Sequence, residues 1–372
     1  MSEIRTAIGL MSGTSMDGID VALLRTDGEH VIEFGPNRFF PYRSETRKRI
    51  ACALEEAGCI AERIDRPGNL VEVEQEITDL HAKAVDAFLN ENDLSASEIN
   101  VLGFHGQTVI HRPEKSLTVQ LGDGEALARI TGIQTVYDMR ANDMLHGGQG
   151  APLVPVYHQA MADNLPEKYR SRRPVVFVNV GGISNITYVG AELIAFDSGP
   201  GNALIDQWVQ KHVGISHDQG GMIGAEGWID EALLDQYLNH PFFDAPAPKS
   251  LDRNDFKLPV NVNSNIETVA RTLARLSAES VFKSLEHLPE KPKLWIVSGG
   301  GRFNPHIMND LKYMAKHTES EVITSEDAGF AGDFIEAEAW AYLAVRSLRG
   351  LPLTYPQTTG CDIPTTGGII AK

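Results

Sequence analysis

Cysteine is scarce in this sequence: Cys52, Cys59 and Cys361 are the three among 372 residues. They make no CxxC pair and no Cys/His ligand cluster. That excludes a disulfide framework and a thiolate zinc site, and it points to a reducing, cytoplasmic setting. Positive charge is also short, with 33 Lys and Arg against 50 Asp and Glu and a net charge of -17. Such a surface repels a phosphodiester backbone, so no nucleic-acid partner is expected. No charge-free apolar run approaches a membrane span, and none is expected to enter a membrane. The start, MSEIRTAIGLMSG, has no basic stretch followed by a long apolar one, so no signal peptide is expected. Several catalytic signatures are missing as well. There is no GxxxxGKS/T phosphate loop, no GxGxxG fingerprint, no GxSxG nucleophile elbow and no HExxH zinc motif.

What remains is an ordinary globular composition, 42% hydrophobic and 22% charged, long enough for two lobes. Short apolar runs at Ile4–Leu10 and Ile19–Leu24 flank a turn of small residues, Ser12-Gly13-Thr14-Ser15-Met16-Asp17-Gly18. The pattern returns at Val175–Val180 and Ile186–Val189 around Gly181-Gly182-Ile183-Ser184-Asn185. Both read as strand, glycine turn, strand. Further strands are expected at Ile99–Phe104, Ser116–Leu121, Gln134–Asp138, Leu193–Phe196 and Leu294–Val297. Helical spacing runs through residues 44–65, 72–92, 203–212, 266–288 and 334–348. The Gly/Pro-dense stretch 143–155 reads as an ordered loop bordering two lobes. Residues 1–140 are expected to form an N-terminal lobe, with about 345–372 able to return to it. Residues 141–372 are expected to form the C-terminal lobe.

Small residues in a turn let backbone N–H groups approach an anion, and successive N–H groups make a concave anion site. The turn at residues 12–18 therefore suits a phosphate, with Thr14 and Ser15 adding hydroxyls. Asp17 cannot face a phosphate directly but can hold Mg²⁺ or its waters. A plain tight hairpin would use similar residues; the second turn, with Gly181 and Gly182, makes a phosphate role the better reading. Asp197 is expected at a strand end before Ser198-Gly199-Pro200-Gly201-Asn202, where a rigid strand would aim a general base. Helix capping there falls to Ser198 or Asn202 instead. Ser298-Gly299-Gly300-Gly301 follows a buried strand and leaves room for a flat ring or ribose, which suits adenosine. Ser12, His105, Gln107, Arg140 and Asp143 are the candidate substrate contacts. A surface salt bridge is the plainer reading of Arg140 and Asp143. His105 and His111 lack a third metal ligand.

Six segments, in order along the chain, resemble the anhydro-N-acetylmuramic acid kinase family. They are Gly9–Asp20, His105–Thr108, Gly148–Pro155, Asn179–Asn185, Phe196–Asn202 and Gly299–Asn304. The resemblance implies a two-lobed actin-like, hexokinase-type α/β fold with a duplicated mixed-sheet core and a central nucleotide cleft. It implies that ATP, with Mg²⁺, phosphorylates a 1,6-anhydro amino sugar while water opens the anhydro bridge, giving N-acetylmuramic acid 6-phosphate in cell-wall recycling. It matches Asp197 to the base that activates the water. It matches Gly13, Thr14, Ser15, Met16, Asp17, Gly18, Ile19 and Asp20 to the ATP-binding segment. Gly181, Gly182, Gly299, Gly300, Gly301 and Asn304 join the nucleotide set, and a cytoplasmic homodimer is implied. Three other readings stay open on the residues alone: a sugar kinase acting on a free hydroxyl, an actin-like filament protein, and a hydantoinase-like or polyphosphatase-like enzyme.

Overall fold

A computed structural model describes residues 3–13, 15–252 and 255–372. Thr14 lies outside the described residues. The chain divides into two compact units, Met1–Asn164 with Phe334–Lys372, and Leu165–Asp333. Residues 141–164, read from sequence with the second lobe, lie in the first unit.

The first unit is built on strands β1 (Arg5–Ser12), β2 (Gly18–Thr26), β3 (Ile32–Pro41), β4 (Val101–Arg112), β5 (Leu117–Leu121) and β6 (Thr135–Tyr137). The second holds β7 (Val175–Val180), β8 (Ile183–Val189), β9 (Leu193–Pro200), β10 (Leu294–Ser298) and β11 (Glu321–Thr324), and the chain ends in β12 (Ile369–Ala371) beside β6. In the first sheet β3, β2 and β1 form an antiparallel meander, and β4 and then β6 add in parallel beside β1. In the second sheet β9, β8 and β7 form the same meander, and β10 and then β11 add in parallel beside β7. Five strands thus repeat in order and sense, the duplicated mixed-sheet core of the actin-like fold.

The cores follow from the apolar periodicities. In the helix Leu70–Glu91 the buried residues Leu70, Val73, Ile77, Ala84 and Phe88 recur at three-, four- and seven-residue steps. They pack with Ile8, Leu10, Val21 and Phe104 of the sheet. A fully buried side chain of this kind contributes about 2–3 kcal/mol, against a few tenths for helix propensity, so packing decides where this helix forms. The late helix Ile335–Leu348 is buried over nearly its whole circumference. It lies so close to β1 and β4 that a Cβ on Gly9 or Gly103 would run into its backbone. In the second unit Val176, Val178, Ile186 and Phe196 pack with Trp208, Leu273 and Val281 from the helices Ala203–His212 and Ile266–Lys283.

Two strand ends differ from the sequence expectation. His105-Gly106-Gln107-Thr108 does not close a strand; it lies inside β4. Gly106 takes φ 71°, and the pairing with β1 slips between Leu10 and Ser12. The kink lets one strand leave β1 and turn antiparallel to β5 from Gln107 onward. Asp197 lies within β9, three residues before its end.

Candidate functional site

In the first unit the β1–β2 turn is held from beneath. The buried Ser12 hydroxyl donates to Gln107 Oε1 (2.8 Å) and lies 2.9 Å from the Tyr42 hydroxyl. Gln107 Nε2 donates to the Gly13 carbonyl (3.1 Å). Met16, at φ 54°, closes the turn by donating its N–H to the same carbonyl (3.1 Å). Ser15 and Asp17 are exposed at the tip, where the Ser15 hydroxyl donates to Asp17 Oδ1 (2.5 Å). Gly18, Ile19 and Asp20 belong to β2. Ile19 is buried in the core, and Asp20 lies across from Met11.

Beside the turn is a cavity of about 460 Å³, lined among others by Ser12, Gly13, Ser15, His105, Arg140 and Glu336. That is within the size range of small-molecule sites. His105 Nδ1 lies 2.7 Å from the Gly106 carbonyl, which makes it the donor and leaves Nε2 as acceptor. Arg140 donates to that Nε2 from Nη2 (3.1 Å) and to the Gly150 carbonyl from Nη1 (2.9 Å). Burial, with the Arg140 charge beside it, holds His105 well below the usual imidazole range, so it is neutral. Burial also lowers Arg140 itself to about 10, against Glu336 and Asp143. The His105 ring and the Arg140 guanidinium both lie against Trp340, at 4.6 and 5.3 Å. Burial raises the Glu336 carboxyl, with Arg140 opposing. Asp143 is buried, and both its oxygens are engaged: the Gly150 N–H donates to Oδ2 (2.6 Å) and the Thr359 hydroxyl to Oδ1 (2.7 Å). It fastens the glycine loop against the C-terminal Thr/Gly segment.

In the second unit the β7–β8 turn is gripped by the start of a helix. The N–H groups of Gly201 and Ala203 donate to the Gly182 carbonyl (3.0 and 3.1 Å), and that of Asn202 donates to the Gly181 carbonyl (2.7 Å). A Cβ on Gly201 would run into the Gly181 carbonyl, so glycine is required there. Gly181 and Gly182 differ. A Cβ on Gly182 would touch only the Ala203 methyl at 3.6 Å, and neither residue has a positive φ. The chain's own packing does not demand these two glycines; they leave the turn open on its outer side. Gly300 is also open, its nearest neighbour being Asn202 Nδ2 at 3.8 Å. Gly299 takes φ 74°, and Arg302 Nη1 donates to its carbonyl (2.9 Å). Asn304 caps the helix Pro305–His317 by accepting the His306 N–H (3.0 Å).

Asp197 is partly buried on β9. Pairing with β8 slips between Ser184 and Asn185, so that Ser198 bulges. Bulges of this kind re-aim side chains. The Leu251 N–H donates to Asp197 Oδ2 (2.8 Å), and the Asp197 N–H donates to the Lys249 carbonyl (3.0 Å). Burial raises the Asp197 carboxyl to about 6, with the Leu251 bond opposing. It ionises near neutrality, as a general base must.

Sequence reasoning did not find Tyr42 beneath Ser12, Glu336 on the cavity wall or the Lys249–Leu251 contact with Asp197. Only Glu336 carried a signal, an acid in the first turn of a largely apolar helix that also holds Glu338 and Arg346. Among the described residues no group of three His, Cys, Asp or Glu side chains could hold a metal ion. Nor is any helix among them long and apolar enough to cross a membrane.

The sequence model of the family described as Anhydro-N-acetylmuramic acid kinase matches residues 5–372. Curated proteins carrying that name are similar over the full length. The one from Agrobacterium fabrum is 54% identical over 374 residues, covering 100% of both chains. That from Rhizobium etli is 56% identical over 373 residues, again 100% of both. That from Brucella abortus (strain 2308) is 55% identical over 371 residues, 99% of both.

Proposed function

Since this chain belongs to the anhydro-N-acetylmuramic acid kinase family, we propose that Asp197 is the base of its reaction. The enzyme is an ATP-dependent kinase of peptidoglycan recycling that opens 1,6-anhydro-N-acetylmuramic acid and phosphorylates it to N-acetylmuramic acid 6-phosphate. Asp197 takes a proton from water as the water oxygen bonds to the anomeric carbon. The bond from that carbon to the 6-oxygen breaks, and the 6-oxygen takes the γ-phosphoryl group as ADP leaves. One base suffices, because the 6-oxygen departs with charge already developing on it. The observation that carries this reading is the carboxylate itself: strand-mounted, re-aimed by a bulge and brought by burial to about 6.

The open glycines Gly13, Gly181, Gly182 and Gly300, with Ser15, Gly299, Gly301 and Asn304, serve the nucleotide, whose phosphates need positioning and charge neutralisation more than covalent help. Thr14, Met16, Gly18, Ile19 and Asp20 complete that segment. Ser12, Gln107, His105 and Arg140 serve the sugar, and Asp143 acts through the loop it fastens. Mg²⁺ fits the donor set. A single exposed carboxylate, Asp17, beside a phosphate turn suits an ion that keeps its waters and shares its ligands with ATP. When bound it supplies neutralisation of phosphate charge. Chelation of divalent ions should abolish turnover, and Asp17→Asn should raise the Mg²⁺ concentration for half-maximal rate. An unchanged Mg²⁺ dependence would remove Asp17 from that role.

The working form is a cytoplasmic homodimer, in keeping with three free thiols. Sedimentation giving the mass of one chain, or fractionation away from cytoplasmic markers, would refute the respective half of that statement. The direct test of the base is Asp197→Asn. Turnover should be lost while ATP affinity stays within about twofold; a variant keeping most of its turnover removes Asp197 from the role.

A further inference from the structure

The segment Lys249–Leu251 has no motif and belongs to no strand, yet it supplies both backbone bonds that locate Asp197 on its outer side. β9 is the edge of its sheet, so no neighbouring strand fixes it there. Leu251, buried in the core of the second unit, holds one end of the segment, and the Lys249 side chain holds the other. Its Nζ donates to the carbonyls of Phe242 (3.0 Å) and Phe243 (2.9 Å) and lies 3.0 Å from His287 Nε2. An ammonium has three N–H donors; two are met by the carbonyls, and the third is met in the tautomer that leaves His287 Nε2 as acceptor, that nitrogen lying also 3.2 Å from the Phe243 carbonyl. The same Nζ lies over the Phe242 ring at 4.8 Å and the Phe196 ring at 5.9 Å. Phe196 immediately precedes Asp197 and takes the edge of His287 at 5.6 Å. Burial lowers the amine below the usual lysine range; the charge of Lys283 adds to this, and Asp244 and Glu286 oppose it.

We propose that Lys249 is a positioning residue for Asp197: its ammonium pins a three-residue strap, and the strap aims the carboxylate and sets its basicity. The proposal rests on the reading of Asp197 as the base. The chemistry runs in one direction. The Leu251 N–H donates to the ionised carboxylate and favours that form. When the strap loosens, burial acts with less opposition, so the carboxyl holds its proton to higher pH and its rotamer is no longer fixed. No part of this requires Lys249 to touch sugar or nucleotide.

The test is Lys249→Met, which keeps the apolar stem and removes the donors, measured beside Asp197→Asn. In the Lys249→Met enzyme kcat at pH 7 should fall roughly tenfold or more. The acid limb of kcat/KM for the sugar should move up by about half a pH unit or more, and the ATP KM should stay within about twofold. Lys249→Arg, which restores a cationic donor, should recover part of kcat. In the Asp197→Asn background Lys249→Met should change nothing further, because the two act as one unit. Three results overturn the proposal. One is an unchanged kcat and acid limb. Another is a loss of kcat with an unmoved acid limb, a raised ATP KM and a lowered Tm, which marks a merely structural lysine. The third is a further loss in the Asp197→Asn background. If Asp197→Asn itself keeps its turnover, the base reading falls and takes this proposal with it. If Asp197→Asn is dead and Lys249→Met behaves as wild type, this proposal falls alone.

Discussion

On the proposed reading, Asp197 sets the pH behaviour of the enzyme through a balance that burial wins over one hydrogen bond. As a base it must be ionised, so kcat/KM for the sugar should fall about tenfold per unit below roughly pH 6. A flat profile down to pH 5 would contradict the assignment. The same shift bears on stability. The folded-state value, about 6, lies above the ordinary 3.8. The contribution of Asp197 to stability is therefore full below the unfolded value and is lost as pH rises through the folded one. Two pH units correspond to at most about 3 kcal/mol. Asp197→Asn should thus melt higher than wild type at pH 8, and the gap should close toward pH 4. A gap that widens on acidification would mean that the carboxylate is stabilised, not strained, in the fold. His105 shows the opposite use of burial: kept neutral, its Nε2 accepts from Arg140 and holds that guanidinium against Trp340.

The two glycine turns divide residues required by the fold from residues left free for a ligand. Gly201→Ala should destabilise the second unit, because the new methyl meets the Gly181 carbonyl. Gly182→Ala should leave Tm nearly unchanged, since only the Ala203 methyl is near, yet raise the ATP KM about tenfold by filling the space a phosphate needs. A Gly182→Ala enzyme with normal ATP KM would sink the phosphate reading of that turn. Both turns were legible in the sequence, because strand–glycine–strand is a local pattern. So were β1, β2, β7, β8 and β10 and the long helices, whose apolar spacing is written within each element. β3 was not legible. It is an exposed edge strand carrying Gly35, Pro36 and Asn37, residues that read as a turn. β4 was cut short at Phe104 because Gly106 looks like a strand end, whereas the chain kinks and continues. The strap at Lys249–Leu251 was invisible for a different reason. Its bonds to Asp197 are backbone bonds, and these leave no residue-type signature.

At the scale of the whole molecule, composition argued against nucleic-acid binding and the repeated hairpins disclosed duplication. The five-strand order and sense shared by the two units carry that duplication further than sequence similarity between the halves could. The return of the chain at Phe334 was harder to read, because the late helix is buried nearly all round and its partners, Gly9 and Gly103, lie far away in sequence. The function rests on family membership over the full length, and the proposed base is a carboxylate that burial raises to about 6. The coupled reaction differs from ordinary hydroxyl phosphorylation in a single atom: the oxygen at the anomeric carbon comes from water. The measurement that tests it most directly is mass spectrometry of the product formed early from anhydro-N-acetylmuramic acid, ATP and Mg²⁺ in ¹⁸O-water. A ring-opened 6-phosphate with the label on the anomeric oxygen is the expected result. An unlabelled phosphorylated sugar would contradict the coupled reaction and leave a kinase that phosphorylates a free hydroxyl.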